Sequence, residues 1–416
     1  MTTTFLSNKN SLQPLYQGLL NRTEADHRTE PLLVAAKEVA TKLAANRRKN
    51  DSEAWVPSED IALLRDAGLL KLGVPTELGG HGLWQGQAYL PHFRILEALA
   101  YGDPSVSQLV QVHSGATYLL TTLPNAEQKI RFAHEFIEDG KTVASIGSEA
   151  PLSTKGAAAY SSELKRVEGG WILDGTKSFS TFGPQADYFL VWCVVPGPEP
   201  TAERMSLALV PRKSDSVKLV NDWETLGMRA TMSWSIHFDK TFVPDDMMIG
   251  RPGWWIHDMP RVSYILGPCS NYLGIAQCAL DFTANYAAER PHLGETQIAR
   301  IKLAELSVEL EAARLAVYAC ARLWEDEKVT PDSAEYNTMA AMHLARTAAM
   351  HVTVACFDIC GARSTFSVYP LGNALRDART YTLQHRDDSY LEMIGRTLLG
   401  ETFSKRGEAE LAVKQG

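Results

Sequence analysis

The sequence predicts a mainly α-helical protein with a β domain in the middle of the chain. The two ends of the chain repeat apolar residues with the period of a helix, whereas residues 141–250 do not. That middle stretch consists of short segments rich in β-branched and aromatic residues, separated by Gly, Pro, Asp and Asn. We expect an N-terminal helical domain over residues 1–140, a β domain (a small barrel or sandwich) over 141–250, and a helical bundle over 251–416.

The N-terminal and middle domains show local signals for individual elements. EPLLVAAKEVATKLAANRRKND and PSEDIALLRDAGLL place apolar residues at i, i+3, i+4 and i+7, which predicts amphipathic helices. Ser58, followed by two acidic residues, predicts a helix start. The Gly169-Gly170 pair between ELKRVE and WILDG predicts a hairpin turn.

The C-terminal domain is predicted to pack long helices together. ARIKLAELSVELEAARLAVYACARLW carries one wide apolar stripe. Its members are Ile301, Leu303, Leu306, Leu310, Ala313, Val317 and Cys320. The sequence Thr330-Pro331-Asp332 breaks this helix before a second one, whose many small residues suit close packing in a bundle.

Composition and charge exclude several classes of protein. The chain has 416 residues and a net charge of −8, with no long run of Lys or Arg, so we expect no nucleic-acid partner. It shows no secretory signal pattern and no uninterrupted apolar stretch of ~18 residues, so we expect no membrane span. Six cysteines without a close CxxC pair indicate a reducing compartment, and we expect a cytoplasmic protein.

The common catalytic and nucleotide-binding motifs are absent. The chain has no GxSxG elbow, Walker loop or GxGxxG fingerprint, so a nucleotide cofactor would bind without a Rossmann unit. His343 and His351 could share a helix face, but no carboxylate or thiolate nearby completes a ligand set. We therefore expect no metal site.

Small hydroxyl residues in the β domain could meet a flat cofactor. SIGSEAPLST follows an apolar strand and includes Ser145 and Ser148, whose hydroxyls could meet a ring edge or a phosphate. In the strand GTKSFSTF, alternation places Phe179 on one face and Ser178 and Ser180 on the other. An ordinary half-buried strand explains the same pattern.

Six segments, in order, resemble the acyl-CoA dehydrogenase superfamily over most of the chain. They are GLLKLGVPTELGGHG, SIGSEAPLSTKG, DGTKSFSTFGPQADYFLVW, ETLGMRATMSWSIHFDKTFVPDDMMIG, YAAERPHLGETQ and GARSTFSVYPLGNALRDART. The resemblance implies an N-terminal α domain, a central β-barrel domain and a C-terminal four-helix bundle. It also implies a flavin (FMN or FAD) held between the last two domains, and a homotetramer.

One position separates the two chemistries of this superfamily. Most acyl-CoA dehydrogenases carry a catalytic Glu nine residues after the Arg of the RDA segment, which is Arg376 here. The ninth residue is His385, and burial in an apolar pocket weakens histidine as a base, whereas it strengthens a carboxylate. The substitution disfavours proton abstraction from an acyl thioester.

The C-terminal segment is more similar to the two-component flavin-dependent monooxygenases of this fold, the group of dibenzothiophene monooxygenase and the sulfur-acquisition oxidoreductases. The spacing of His385 to Tyr390 matches that group. The resemblance implies that a separate NAD(P)H-dependent reductase supplies reduced flavin. It further implies that O₂ forms a C4a-hydroperoxyflavin, which oxygenates a small organosulfur, aromatic or amine substrate. An acyl-CoA dehydrogenase and a non-catalytic member of the fold remain the alternatives.

The same resemblance implies roles for individual residues. Its catalytic residues would be His113, His385 and Ser180. Its flavin-binding residues would be Ser145, Ser148, Phe179, Thr181, Arg290, Gly361 and Arg363, with Arg290 meeting a phosphate from a neighbouring subunit. The charged neighbours Arg386, Asp387 and Asp388 are predicted to be structural. The chain departs from the group at Ser145, where Asn is usual, at Tyr381, which replaces a His, and by an insertion around Gln384.

Overall fold

The structure is a computed structural model that describes residues 22–84, 88–149, 162–258, 261, 263–385 and 387–403. Arg386 and the second half of SIGSEAPLSTKG lie outside the described residues. Within the described part, helices precede and follow a single group of strands, in the order that the sequence predicts. The domain boundaries at 140 and 250 stay a prediction.

Five helices precede the first strand. They are α1 (Glu24–Glu53), α2 (Ser58–Asp66), α3 (Tyr89–Gly102), α4 (Pro104–Thr122) and α5 (Ala126–Ile137). The side chain of Thr23 accepts a hydrogen bond from the amide of Asp26 and so caps α1, and Asp103 caps α4 in the same way. The helix start expected at Ser58 is confirmed, although the preceding residue is a proline that supplies no side-chain cap.

Eight strands form one sheet in the middle of the chain. They are β1 (Val143–Ile146), β2 (Glu163–Val167), β3 (Gly170–Ser180), β4 (Tyr188–Val194), β5 (Met205–Pro211), β6 (Val217–Val220), β7 (Trp234–Pro244) and β8 (Met248–Ile249), with the short helix α6 (Thr201–Arg204) between β4 and β5. The order is β6-β7-β3-β2-β4-β5-β8, and β1 pairs in parallel with β4. No pairing among the described strands joins β6 to β8, so a closed barrel is not shown.

The predicted hairpin joins β2 to β3. Val167 pairs with Gly170, so the turn residues are Glu168 and Gly169, one residue earlier than expected. Gly169 has a φ of 73°, a left-handed conformation that favours glycine.

Helices resume after the sheet. They are α7 (Trp254–His257), α8 (Leu266–Ala288), α9 (Pro291–Gly294), α10 (Gln297–Glu325), α11 (Pro331–Cys360), α12 (Leu371–Tyr381) and α13 (Asp387–Leu398). Helix α8 packs against α10, α11 and α12, which gives a C-terminal helical domain. Most of the predicted stripe on α10 is buried, but Ile301 is 48% exposed near the start of that helix. None of the described helices combines the length and apolarity needed to cross a membrane.

One buried joint ties α12 to the rest of the chain. The carboxylate of Asp377 accepts a hydrogen bond from Arg47 of α1 (2.8 Å) and another from the amide of Met228 (2.7 Å). A Cβ on Gly227 would lie 2.2 Å from the carbonyl carbon of Arg376, so only glycine allows this approach. The segment with Gly227 and Met228 is therefore held in close contact with Arg376 and Asp377, and this contact positions the C-terminal half of α12.

Candidate active site

A cavity of about 180 Å³ lies among α4, α8, the strands β1 and β4, and the segment that follows α12. Its lining combines aromatic, small and amide side chains. The lining residues are Trp84, Phe93, Gln108, Gln111, Val112, Gly115, Ala116, Leu119, Ser145, Trp192, Ser263, Tyr264, Gly267, Gln384 and His385. The cavity therefore assembles residues from both helical parts and from the sheet.

Aromatic rings form one wall of this cavity. The ring of Tyr264 lies 6.0 Å from Trp84 and 6.2 Å from Trp192, measured between centroids. The indole N–H of Trp84 donates to Ser114 (2.9 Å), and that of Trp192 donates to Ser145 (3.0 Å). The hydroxyl of Tyr264 has no hydrogen-bond partner among the described residues, and burial raises the pKa of that phenol. This wall suits a flat apolar ligand.

His385 lies in the cavity wall, just beyond α12. Its Nδ1 lies 3.0 Å from the hydroxyl of Tyr390, one turn into α13. Burial, with a smaller effect from the positive charge of Arg346, lowers the pKa of His385 to about 4. The ring is therefore neutral near neutral pH, and Nε2 is left for a ligand.

Charged residues hold the start of α13, as expected for Asp387. Its carboxylate lies 3.0 Å from Nδ1 of His343 and 3.6 Å from Arg346, both on α11. These contacts attach the segment that carries His385 to the helical bundle.

A polar wall stands on α4, α8 and α12. The hydroxyl of Tyr381 donates to Oε1 of Gln108, and the amide of Asn271 donates to Oε1 of Gln111 (3.1 Å) and to the Tyr381 oxygen (3.3 Å). Tyr381 itself is buried and packs edge-on against Tyr272. The tyrosine that departs from the monooxygenase pattern thus orients cavity side chains instead of lining the cavity.

The geometry goes against the catalytic role expected for His113. Its Nε2 lies 3.0 Å from the carbonyl oxygen of Leu70, and its Nδ1 accepts the amide N–H of Val143 (3.2 Å). Both ring nitrogens are thereby occupied by backbone, and burial lowers the pKa of His113 to about 4. His113 is absent from the cavity lining. It joins α4 to β1 and cannot donate a proton to a ligand there.

Several predicted flavin-binding residues lie side by side where β1 and β3 end. Phe179 is 59% exposed, has a φ of 55°, and meets Trp223 edge-to-face at 5.7 Å. The amide of Ser178 donates to the carbonyl of Ser148 (2.9 Å), and the hydroxyl of Thr181 lies 2.9 Å from that of Ser233. A strained, exposed aromatic residue is typical of a functional site.

Ser180 lies on the buried side of β3, whereas the ring of Phe179 is exposed. Ser180 is fully buried, and its Oγ is shielded from solvent with no partner among the described residues. A ligand stacked on Phe179 cannot reach that hydroxyl, so the expected catalytic role of Ser180 is not supported. Phe179 is exposed while Ser178 and Ser180 are buried, as expected, but the strand does not alternate regularly here, because Lys177 and Ser178 are both buried and the pairing with β7 shifts between Lys177 and Ser180.

The other predicted cofactor residues lie apart from the cavity. Arg290 donates to the carbonyl of Tyr286 (2.9 Å) and lies over its ring at 3.6 Å. Gly361 ends α11 with a φ of 73°, and Arg363 is exposed on the turn that follows. None of the three lines the cavity. Their expected flavin contacts stay a prediction.

The residues present fit a flat cofactor better than a metal. The exposed corner of Phe179 and Trp223 offers an apolar surface for a planar ring, and the backbone of Ser148 meets Ser178, the residue before Phe179. Ser145 lines the cavity only three residues before Ser148, roughly 10 Å along an extended chain, so corner and cavity adjoin. Among the described residues, no three His, Cys, Asp or Glu side chains come together as metal ligands would.

Sequence reasoning missed the residues that build most of the cavity. A usable signal did exist on α4, because Gln108, Gln111 and Gly115 recur at helical spacing and share a face. His113 follows Gln111 by two residues, which is a rotation of about 200° around the helix. The aromatic residues Trp84 and Trp192 had no such signal, because they come from separate segments.

Three domain models of one family match this chain. The N-terminal, middle and C-terminal domains of acyl-CoA dehydrogenase match residues 30–139, 148–241 and 266–385. A probable acyl-CoA dehydrogenase of Mycobacterium leprae is 28% identical over 358 residues, 83% of this chain and 87% of that protein. The human mitochondrial short-chain specific acyl-CoA dehydrogenase is also 28% identical, over 79% of each chain.

Solved structures of both chemistries share the fold. The dibenzothiophene monooxygenase TdsC of Paenibacillus sp. A11-2, with FMN and indole, superposes with a TM-score of 0.81 at 22% identity, covering 92% of this chain and 99% of that one. Butyryl-CoA dehydrogenase of Megasphaera elsdenii also superposes with a TM-score of 0.81 at 22% identity, covering 91% and 99%. At this identity the likeness shows the fold alone.

The chain is a flavin-dependent oxidoreductase, the class to which both sets of similar proteins belong. The three matched domains place the chain in the acyl-CoA dehydrogenase family. Its cofactor is accordingly a flavin.

Proposed function

We propose that this protein is a monooxygenase that takes reduced flavin from a separate NAD(P)H-dependent reductase and uses O₂ to oxygenate a small organic substrate. The observation that carries the proposal is the cavity wall at His385. A neutral histidine stands there, and no Asp or Glu is among the described lining residues.

Proton abstraction from an acyl thioester requires a base that burial makes stronger, which is a property of carboxylates. Outside the described residues, the only carboxylate side chains are Glu408 and Glu410, close to the C-terminus. A histidine whose pKa is lowered to about 4 is a weak base but remains a good hydrogen-bond donor. The site therefore suits hydrogen-bond donation to a bound ligand better than proton abstraction.

When bound, reduced flavin would supply the electrons that activate O₂. Phe179 would cover the ring, while Ser148 and Thr181 would meet its polar edge. The hydroxyl of Tyr390 would donate to Nδ1 of His385, which leaves the Nε2–H of His385 as a donor towards the reacting oxygen. The aromatic wall would exclude water and so limit loss of reducing power as hydrogen peroxide.

Similar proteins support the coarser features of this proposal. TdsC is described with FMN and indole, and the fold also includes the methanesulfinate monooxygenase MsuC of Pseudomonas fluorescens. FMN and FAD are both compatible with the site. Exposed apolar side chains on α10 and α11, such as Ile298 and Val354, support the proposed homotetramer. We also propose a cytoplasmic location, since six cysteines without a close CxxC pair indicate a reducing compartment.

An acyl-CoA dehydrogenase is the second candidate function. The curated relatives favour it, since those reported above are acyl-CoA dehydrogenases. It would require His385, or a residue that the lining lacks, to remove the α-proton.

The test uses the purified protein with FMN or FAD, an unrelated NADH-dependent flavin reductase and isotope-labelled oxygen gas. With a panel of aromatic, organosulfur and amine substrates, we expect mass spectrometry to detect labelled oxygen in a product. The parallel arm mixes the FAD-loaded protein with short acyl-CoA thioesters without oxygen and follows flavin absorbance. Bleaching in this arm, with no labelled product in the first, would establish the dehydrogenase instead.

A further inference from the structure

The polar wall of the cavity is built to present hydrogen-bond donors. Gln108 and Gln111 stand one turn apart on α4 and both line the cavity. The side-chain oxygen of Gln108 accepts from Tyr381, and that of Gln111 accepts from Asn271. Because both oxygens are occupied, the two amide groups are oriented with their N–H₂ ends unused.

The side-chain N–H₂ groups of Gln108 and Gln111 have no hydrogen-bond partner among the described residues. Both nitrogen atoms remain accessible to a molecule the size of water. The hydroxyl of Tyr264, a lining residue, also has no partner among the described residues, but its oxygen is shielded from solvent, so it is not counted as a donor to a ligand. Nε2 of His385 adds a third donor if Tyr390 donates to Nδ1. A ligand in this cavity thus faces donors from several sides.

The described lining carries no charged side chain. Its ionisable members are His385 and Tyr264, and both are neutral near neutral pH. A cation moved into such a cavity would lose its hydration without a carboxylate to replace it, which costs several kcal/mol. An ammonium group would also point its own donors at the donors of Gln108 and Gln111.

The remaining lining sets the shape of the ligand. Trp84, Trp192, Tyr264 and Phe93 offer ring faces and edges at distances typical of aromatic pairs. The volume of about 180 Å³ exceeds the roughly 150 Å³ of an engineered apolar cavity known to hold benzene in another protein. One ring with a small polar substituent fits this space.

We infer that the substrate is a planar aromatic compound carrying an uncharged hydrogen-bond acceptor, to which the amide N–H₂ groups of Gln108 and Gln111 donate hydrogen bonds. Cationic amines do not bind in this cavity. The inference rests on the proposed function and narrows its substrate class. Gln108 and Gln111 are the specificity-determining residues, and Tyr381 and Asn271 are positioning residues that hold them.

Three ligands of matched shape test this recognition: acetophenone, α-methylstyrene and α-methylbenzylammonium. They carry an acceptor, an apolar isostere of that acceptor and a cation on the same ring. Binding is measured by calorimetry to the protein loaded with oxidised flavin, so that no turnover is needed. We expect acetophenone to bind several-fold more tightly than α-methylstyrene, because it alone accepts a hydrogen bond from the amide groups. We expect no detectable binding of the ammonium.

Substitutions test whether Gln108 and Gln111 cause the preference for acetophenone over α-methylstyrene. Gln111→Leu and Gln108→Leu should each reduce the acetophenone preference several-fold, and Tyr381→Phe should reduce it less, because it only releases Gln108. Gln111→Glu should admit α-methylbenzylammonium, a gain that a misfolded variant cannot produce. Tyr336→Phe on α11, away from the cavity, removes a hydroxyl as a matched control and should change nothing.

The outcomes separate this inference from the proposed function. Equal affinity for acetophenone and α-methylstyrene, or tight binding of the ammonium by the unmodified protein, would overturn the recognition of acceptors. If the acceptor preference appears but no labelled oxygen reaches any product, the monooxygenase proposal fails while the recognition stands.

Discussion

Replacing His113 by leucine tests whether this histidine is structural or catalytic. The ring bridges the carbonyl of Leu70 (3.0 Å) and the amide of Val143 (3.2 Å), and it is 1% exposed. Leucine would fill the space but leave both backbone groups buried without partners. Each such group costs about 1–3 kcal/mol, so we expect His113→Leu to lower the free energy of unfolding by roughly 2–6 kcal/mol.

The pH dependence of this loss has a definite sign. The unfolded His113 binds a proton below a pH of ~6.5, whereas the folded ring binds one only below about 4. Protonation therefore favours the unfolded chain as the pH falls through this window, and the contribution of the ring to stability declines with it. Between pH ~7 and pH ~5 the difference between wild type and His113→Leu should shrink by about 2 kcal/mol.

Urea unfolding at the two pH values measures both effects, and product formation by the folded variant measures catalysis. We expect turnover within a few-fold of wild type. His134→Leu, at an exposed histidine on α5, is the matched control and should leave stability unchanged. A hundredfold loss of turnover in His113→Leu, with an unchanged free energy of unfolding, would show that the ring acts in the chemistry and refute the structural role.

Three further predictions concern the cavity, the buried contact between Gly227 and α12, and the exposed ring of Phe179. His385→Leu should cut product formed per reduced flavin about 100-fold, whereas His385→Gln should retain part of it. Because the pKa of His385 is lowered to about 4, the ring keeps one protonation state near neutral pH, and the wild-type yield should show no titration of this group there. Gly227→Ala should lower the free energy of unfolding by about 1–3 kcal/mol in thermal melting, since its Cβ would lie 2.2 Å from Arg376, whereas Gly372→Ala, with nothing within 4 Å, should not. Phe179→Ala should weaken flavin binding by fluorescence titration without lowering the melting temperature of the flavin-free protein, because the ring is 59% exposed.

Local patterns in the sequence determined the order and type of the elements. The change from helical period to short β-rich segments located the sheet, and the signals at Ser58 and Thr330 marked helix starts. The expected separation of Phe179 from Ser180 agrees with their exposure, although β3 departs from regular alternation there. The family resemblance, through the position nine residues after Arg376, also singled out His385, which lies in the cavity wall. Each of these signals depends on residues close together in the chain.

Tertiary packing decided which of those residues share a site. Helix α4 carries both His113 and Gln111, and its sequence alone does not state which side faces the cavity and which faces β1. Trp84, Trp192 and Tyr264 meet only because two helical parts and a sheet pack around one space. Periodicity is a property of one segment, whereas a cavity depends on the relative positions of several. For that reason the sequence determined the family and two cavity residues, Ser145 and His385, and the packed fold determined the rest of the cavity wall.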